Sequence, residues 1–178
     1  MDLQDYFERG LTANAYAQLL DPDQRDLHAL YQRRAEIGPG AVDQLRAAGA
    51  IRVLVITEPW CGDSLAIFPT IAELCQRADV ELRVVRRDEH PGLIDRYLTN
   101  GGRAIPIAIV LDEDFREISH WGPRPGPAQA ILEEHRQQIA SGTVEKIAVH
   151  KKIRAFYAKD RGRTVVQELI AGIAVNPR

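Results

Sequence analysis

One stretch of the chain gathers residues that can do chemistry: Trp60-Cys61-Gly62-Asp63-Ser64. It follows a short, β-branched, mostly apolar run from Ile51 to Ile56. It precedes a helical pattern that carries Leu65, Phe68, Ile71, Ala72 and Cys75 on one side. Cys61 therefore falls where a buried strand hands over to a helix. Backbone N–H groups at a helix start lack intrahelical partners, and the helix dipole adds partial positive charge; both favour thiolate over thiol. A thiolate is the nucleophile of disulfide exchange. Gly62 keeps the turn open, and Trp60 offers an apolar platform beside the sulfur. The alternative is that Cys61 only fills space, but this strand-to-helix setting favours reactivity. Cys75 would lie about 21 Å further along a continuous helix, at 1.5 Å per residue. It sits on the apolar stripe and reads as a core cysteine, not a resolving partner.

The elements that must hold Cys61 are set by pattern. Before residue 50 the chain reads as helices, with Leu11, Ala15, Leu19 and Leu20 at helical spacing. Asp21-Pro22-Asp23-Gln24 looks like a helix start with a capping box. Leu27, Leu30, Tyr31 and Ala35 line one face of the helix it opens, until Gly38-Pro39-Gly40 breaks it. Another short helix runs from about Ala41 to Ala48. Val80 to Val85 alternates as a half-buried strand does. His90-Pro91-Gly92 opens a helix containing Leu93, Ile94, Tyr97 and Leu98. Ile105 to Leu111 is a second apolar strand, and Phe115 to Trp121 returns antiparallel to it. Three helical stripes close the chain: Ile131, Leu132, His135 and Ile139; Val149, Ile153 and Phe156; and Val166, Leu169, Ile170 and Ile173. Helices, then β-α-β-α-β-β-α, then more helix predict an α/β fold with a mixed sheet.

Composition bounds the function. The chain has 178 residues, two Cys and a formal net charge of -2, with 45% apolar residues, which is ordinary globular composition. No net positive field favours nucleic acid. No apolar stretch approaches the roughly 18 residues of a membrane helix, and Met1-Asp2-Leu3-Gln4-Asp5 lacks an apolar signal core. Two Cys make no disulfide framework, so a reducing, cytoplasmic setting is expected. The five His show no metal-ligand spacing with the Cys, and the chain lacks a phosphate-binding glycine loop. No metal or organic cofactor is expected.

The motif at Cys61, with Ile105-Pro106 opening a strand about forty residues later, resembles the thioredoxin family. The resemblance covers roughly residues 50 to 140. The stretches Leu98-Thr99-Asn100-Gly101-Gly102-Arg103-Ala104-Ile105-Pro106 and Trp121-Gly122-Pro123-Arg124-Pro125 are similar to a bacterial thioredoxin-like subfamily with a helical N-terminal extension. It implies a thioredoxin-like fold in three parts: an extension (1–49), the thioredoxin-like domain (50–142) and a C-terminal helical tail (143–178). It also implies a cis-proline at Pro106, with the Ile105 backbone facing the sulfur across a substrate groove.

Two positions depart from the family pattern. The resolving Cys falls on Ser64, whose hydroxyl cannot attack a mixed disulfide but can donate a hydrogen bond to a Cys61 thiolate. The buried acid of the family falls on Val55. Asp63, a carboxylate beside the sulfur, acts against the thiolate. The expected activity is that of a monothiol thiol-disulfide oxidoreductase. Cys61 and Ser64 form its centre, and Trp60, Gly62, Asp63, Ile105 and Pro106 its groove. Its partners are protein or low-molecular-weight thiols and disulfides. The alternative is a redox-inactive thioredoxin-fold module that binds a partner chain in the same groove. An iron–sulfur carrier is a third reading, because Cys61-Gly62-Asp63-Ser64 is similar to the Cys-Gly-Phe-Ser of monothiol glutaredoxins. Trp60 and the lack of a Gly-Gly pair after the Pro106 strand speak against it. Trp121 suits either core packing or a groove role. Arg103 suits either plain exposure or an acidic thiol compound. The basic residues His150, Lys151, Lys152, Arg154 and Lys159 read as a solvated helix face.

Overall fold

A computed structural model describes residues 1–174; positions 175–178, the end of the expected tail, lie outside the described residues. The chain opens with α1 (Leu3–Arg9), the two-residue strand β1 (Leu11–Thr12), α2 (Ala13–Ala17), α3 (Pro22–Arg34) and α4 (Ala41–Ala47). The strand at Leu11 corrects the all-helical expectation for this segment. Leu11 and Thr12 pair antiparallel with Val84 and Arg83, a ladder too short to leave a period-2 signal. The start of α3 has the capping box: the Asp21 side chain accepts from the Gln24 amide at 2.8 Å, and Gln24 Oε1 accepts from the Asp21 amide at 3.0 Å.

The centre comprises β2 (Arg52–Thr57), α5 (Gly62–Ala78), β3 (Glu81–Arg86), α6 (Pro91–Ile94), β4 (Ile107–Leu111) and β5 (Glu117–Trp121). The helix at Pro91 is a single turn, so Tyr97 and Leu98 lie beyond it. The tail holds α7 (Gly126–Glu134), α8 (Arg136–Ala140), α9 (Lys146–Asp160) and α10 (Arg163–Ala174). On α9 the buried aromatic is Tyr157; Phe156, the residue expected on that stripe, is only partly buried.

Among the described residues the sheet has five strands in the order β1-β3-β2-β4-β5. β2 and β3 are parallel, while β2–β4 and β4–β5 are antiparallel, so the sheet is mixed. In β2, Val55 pairs with Val84 on one side and Ala108 on the other. Side chains alternate across a strand. Val53 and Val55 therefore join Val84, Ala108 and Val110 against Ile67, Phe68, Ile71 and Leu74 of α5. Leu54 and Ile56 join Val85, Ile107 and Ile109 on the opposite face, under Tyr6 and Phe7 of α1 and Leu93 and Ile94 of α6. The central strand is buried on both faces, which is why it reads as an unbroken apolar run. This is the α/β, thioredoxin-like architecture. No helix among the described residues is long and apolar enough to cross a membrane.

Candidate functional site

Cys61 is the N-cap of α5, with extended backbone (φ -82°, ψ 113°) and no side-chain capping bond. Its amide donates to the Glu58 carbonyl at 3.1 Å, closing the turn that leaves β2. Its Sγ donates to the Ile105 carbonyl at 3.6 Å, and the Ile105–Pro106 peptide is cis. The residue is 8% exposed. Cys61, Ile105 and Pro106 thus meet at one point, and a second loop locks against them. Gly122 has φ +133°, and a Cβ built there would lie 2.2 Å from the Pro106 carbonyl oxygen. Only glycine allows this approach.

Trp60 projects from the turn, 56% exposed. Its Nε1 donates to Asp88 Oδ2 at 3.3 Å, and the Arg87 guanidinium lies 4.6 Å from its ring centroid. The Arg87 side chain, hydrogen-bonded to Asp88, holds the Asp88 carboxyl below its ordinary value. Arg103 forms a two-pronged pair with Asp95 at 2.7 and 2.8 Å. Its charge is committed to a neighbour on the surface, as plain exposure implies. Gly62 opens α5 with nothing within 4 Å of a built Cβ.

Ser64 is buried, and its Oγ has no hydrogen-bond partner among the described residues. The bond expected from Ser64 to the Cys61 sulfur is therefore not made. The thiol points to the Ile105 carbonyl instead. Asp63 does not stand as an open carboxylate beside the sulfur either. Its Oδ1 accepts from the Tyr157 hydroxyl at 2.8 Å, and its Oδ2 pairs with Arg124 at 2.5 Å, all three side chains being largely buried. Burial and then the Asp63 carboxylate push the Tyr157 phenol well above its usual range.

Sequence reasoning missed Glu58. Its side chain is fully buried beneath the turn, accepting from Arg86 Nε at 3.2 Å and the Asp88 amide at 2.9 Å. A glutamate closing an apolar strand, three residues before Cys61, was the available signal. Tyr16 from α2 is also buried there, and burial pushes its phenol up to about 12. Gln24 of α3 reaches the Pro59 carbonyl at 3.2 Å, so the N-terminal helices brace the same turn.

Cys75 lies in the core, and burial pushes its thiol up to about 12. Trp121 Nε1 donates to Glu168 of α10 at 3.0 Å, an anchor for the tail. Most of the basic residues of α9 are exposed, with Val149, Ile153 and Tyr157 facing inward. Among the described residues no three His, Cys, Asp or Glu side chains cluster so as to hold a metal ion.

Two solved structures share this architecture over almost the whole chain. One is a protein of unknown function from Pseudomonas aeruginosa, at 20% identity and TM-score 0.73 with 98% of each chain covered. The other is an HIV epitope-scaffold, at 18% identity and TM-score 0.73, again with 98% of each chain covered. At these identities the likeness is one of fold. Comparison with the curated proteins gives no match. The family model described as thioredoxin matches residues 10–138, from the edge strand β1 to α8. The chain belongs to the thioredoxin family.

Proposed function

We propose that this protein performs monothiol thiol-disulfide exchange at Cys61. The observation that carries the reading is the placement of the Cys61 sulfur at the start of α5, facing the Ile105 carbonyl across the Pro106 loop. In the first step the Cys61 thiolate attacks one sulfur of an external mixed disulfide. A Cys61–S bond forms, the substrate S–S bond breaks, and the second sulfur leaves as thiolate. In the second step an external thiolate attacks the Cys61 adduct, releasing Cys61 as thiolate and a new external disulfide. Cys61 is oxidised to the disulfide level in the adduct and returns to thiolate in the second step, so the net exchange is between external disulfides and thiols. Ser64 cannot resolve the adduct, and Cys75 is buried in the core, so the resolving thiol comes from outside. A reducing, cytoplasmic setting supplies such thiols.

Trp60, Gly62, Ile105 and Pro106 form the walls of the groove, while Asp63, expected there too, is buried and paired with Arg124 and Tyr157 and offers it no open carboxylate. Trp60 provides the exposed apolar wall, and the Ile105 backbone the polar one. A second reading, a groove that holds a partner strand without turnover, is favoured by one observation: Cys61 is only 8% exposed. An assay with a glutathione mixed disulfide and a recycling thiol separates them. Exchange that is lost in Cys61→Ser supports the oxidoreductase. No exchange above the uncatalysed rate supports the binding module.

A further inference from the structure

Asp63 presents a puzzle that the exchange chemistry does not use. A carboxylate in the first turn of a helix is favourable for the helix itself. Two residues from Cys61, however, it draws on the same positive potential that a thiolate needs. The structure holds both of its oxygens away from any reacting proton. Oδ1 takes the Tyr157 hydroxyl from α9, and Oδ2 takes Arg124 from the Gly122-Pro123-Arg124-Pro125 loop. With both oxygens occupied in a buried site, Asp63 is no general base.

We infer that Arg124 and Tyr157 are positioning residues that hold the Asp63 charge in a closed buried pair, and so keep it from opposing nucleophilic attack by Cys61. This rests on Cys61 being the nucleophile of the proposed exchange. It gives the tail helix α9, which lies beyond the matched family span, a function at the site. The distances are short and the setting is dry. Arg124 is mostly buried, and its Nε finds no partner among the described residues, so the guanidinium is aimed chiefly at Asp63, with a longer contact to Gln129 at 3.4 Å. In such surroundings an ion pair is screened little by salt.

Other ionisable groups lie around this turn and the Asp63 pair. Tyr16 from α2 is un-ionised at neutral pH. Glu58 is paired with Arg86 of β3. Asp88 is paired with Arg87 on the surface beside Trp60. His150 of α9 lies near the Asp63–Arg124 pair, and burial lowers its basicity. Arg124 is thus the cation directly paired with the carboxylate nearest to Cys61 in the chain.

The test is the pH profile of Cys61 alkylation by iodoacetamide, with peptide mapping of the product, in the full chain. Arg124→Met should raise the pH of half-maximal rate and slow alkylation at pH 7 by roughly threefold to tenfold. Asp63→Asn should lower that pH. The double variant should return within about twofold of the parent, because the charge and its counter-charge leave together. Single variants that shift the profile in the same direction, or not at all, overturn the inference, since loss of packing alone has no reason to act with opposite signs. Removing one partner of a buried pair is strongly destabilising. If circular dichroism shows Arg124→Met unfolded, Asp63→Asn and Tyr157→Phe decide. The first must lower the midpoint and the second raise it, and any other pair of results overturns the inference. Alkylation needs no turnover. A parent that fails to exchange, with variants that shift as stated, overturns the proposed activity alone. A parent that exchanges, with coincident profiles, overturns this inference alone.

Discussion

The Cys61 sulfur faces the Ile105 carbonyl oxygen at 3.6 Å, although the two residues lie 44 positions apart. Two loops make this meeting: the turn leaving β2 and the segment entering β4. These strands are antiparallel neighbours in the sheet, with Ile56 opposite Ile107, so the end of β2 and the start of β4 lie at the same end of the sheet.

The contrast between the two thiols predicts selective labelling. Cys61 sits at the start of α5, whereas Cys75 is 2% exposed and its thiol is pushed up to about 12 by burial. Alkylation at pH 7.5 with peptide mapping should modify Cys61 and leave Cys75 intact until the protein is denatured. Equal labelling of both in the folded protein would contradict the assignment.

Ser64 offers two linked outcomes. Its hydroxyl is buried with no hydrogen-bond partner among the described residues, and the Cys61 sulfur bonds to the Ile105 carbonyl instead. Ser64→Ala should therefore leave Cys61 alkylation within about twofold of the parent and change stability by less than about 1 kcal/mol. Ser64→Cys places a thiol one helical turn from Cys61. It should accelerate reduction of an insulin-like disulfide in the presence of a dithiol reductant. A large loss of Cys61 reactivity in Ser64→Ala would show that the hydroxyl acts on the sulfur after all.

The approach of Gly122 to the Pro106 loop sets a stability test. A Cβ at residue 122 would stand 2.2 Å from a backbone oxygen, at a φ of +133° that other residues rarely adopt. Gly122→Ala should cost at least about 2 kcal/mol in denaturant unfolding. Gly62→Ala, in open space, should cost less than about 1 kcal/mol. Similar losses in the two variants would mean that the two loops are not locked as described.

Much of this was legible in the sequence, for reasons that are local. The β2 run declares a strand buried on both faces, and Asp21 and Gln24 declare a helix start within four residues. The Cys61 motif stands between a strand and a helix that both announce themselves. What escaped depends on distant partners. The strand at Leu11–Thr12 exists because β3 is there to pair with it. Asp63 looked like an open carboxylate because Tyr157 is 94 residues away. Glu58 drew no attention because nothing local shows that Arg86 and the Asp88 amide enclose it.

Acid should weaken the fold through histidines held neutral. Burial lowers the basicity of His28, whose Nε2 has no partner among the described residues, and of His150. A His with its folded value below the ordinary 6.5 binds fewer protons folded than unfolded. Its contribution is present above 6.5 and is lost as pH falls through the lowered folded value. Denaturant midpoints should therefore drop between pH 7 and pH 5, and His28→Phe should reduce that drop. An unchanged drop in His28→Phe would rule out His28 as a contributor.

Monothiol exchange requires that Cys61 form a covalent adduct and release it. The most direct measurement is intact-mass spectrometry of the full chain, treated first with a glutathione mixed disulfide and then with an excess of free thiol. One adduct is expected, mapped to Cys61, that disappears on addition of the thiol and does not form in Cys61→Ser. A folded protein that stays unmodified through the first treatment, or an adduct mapped elsewhere, would contradict it.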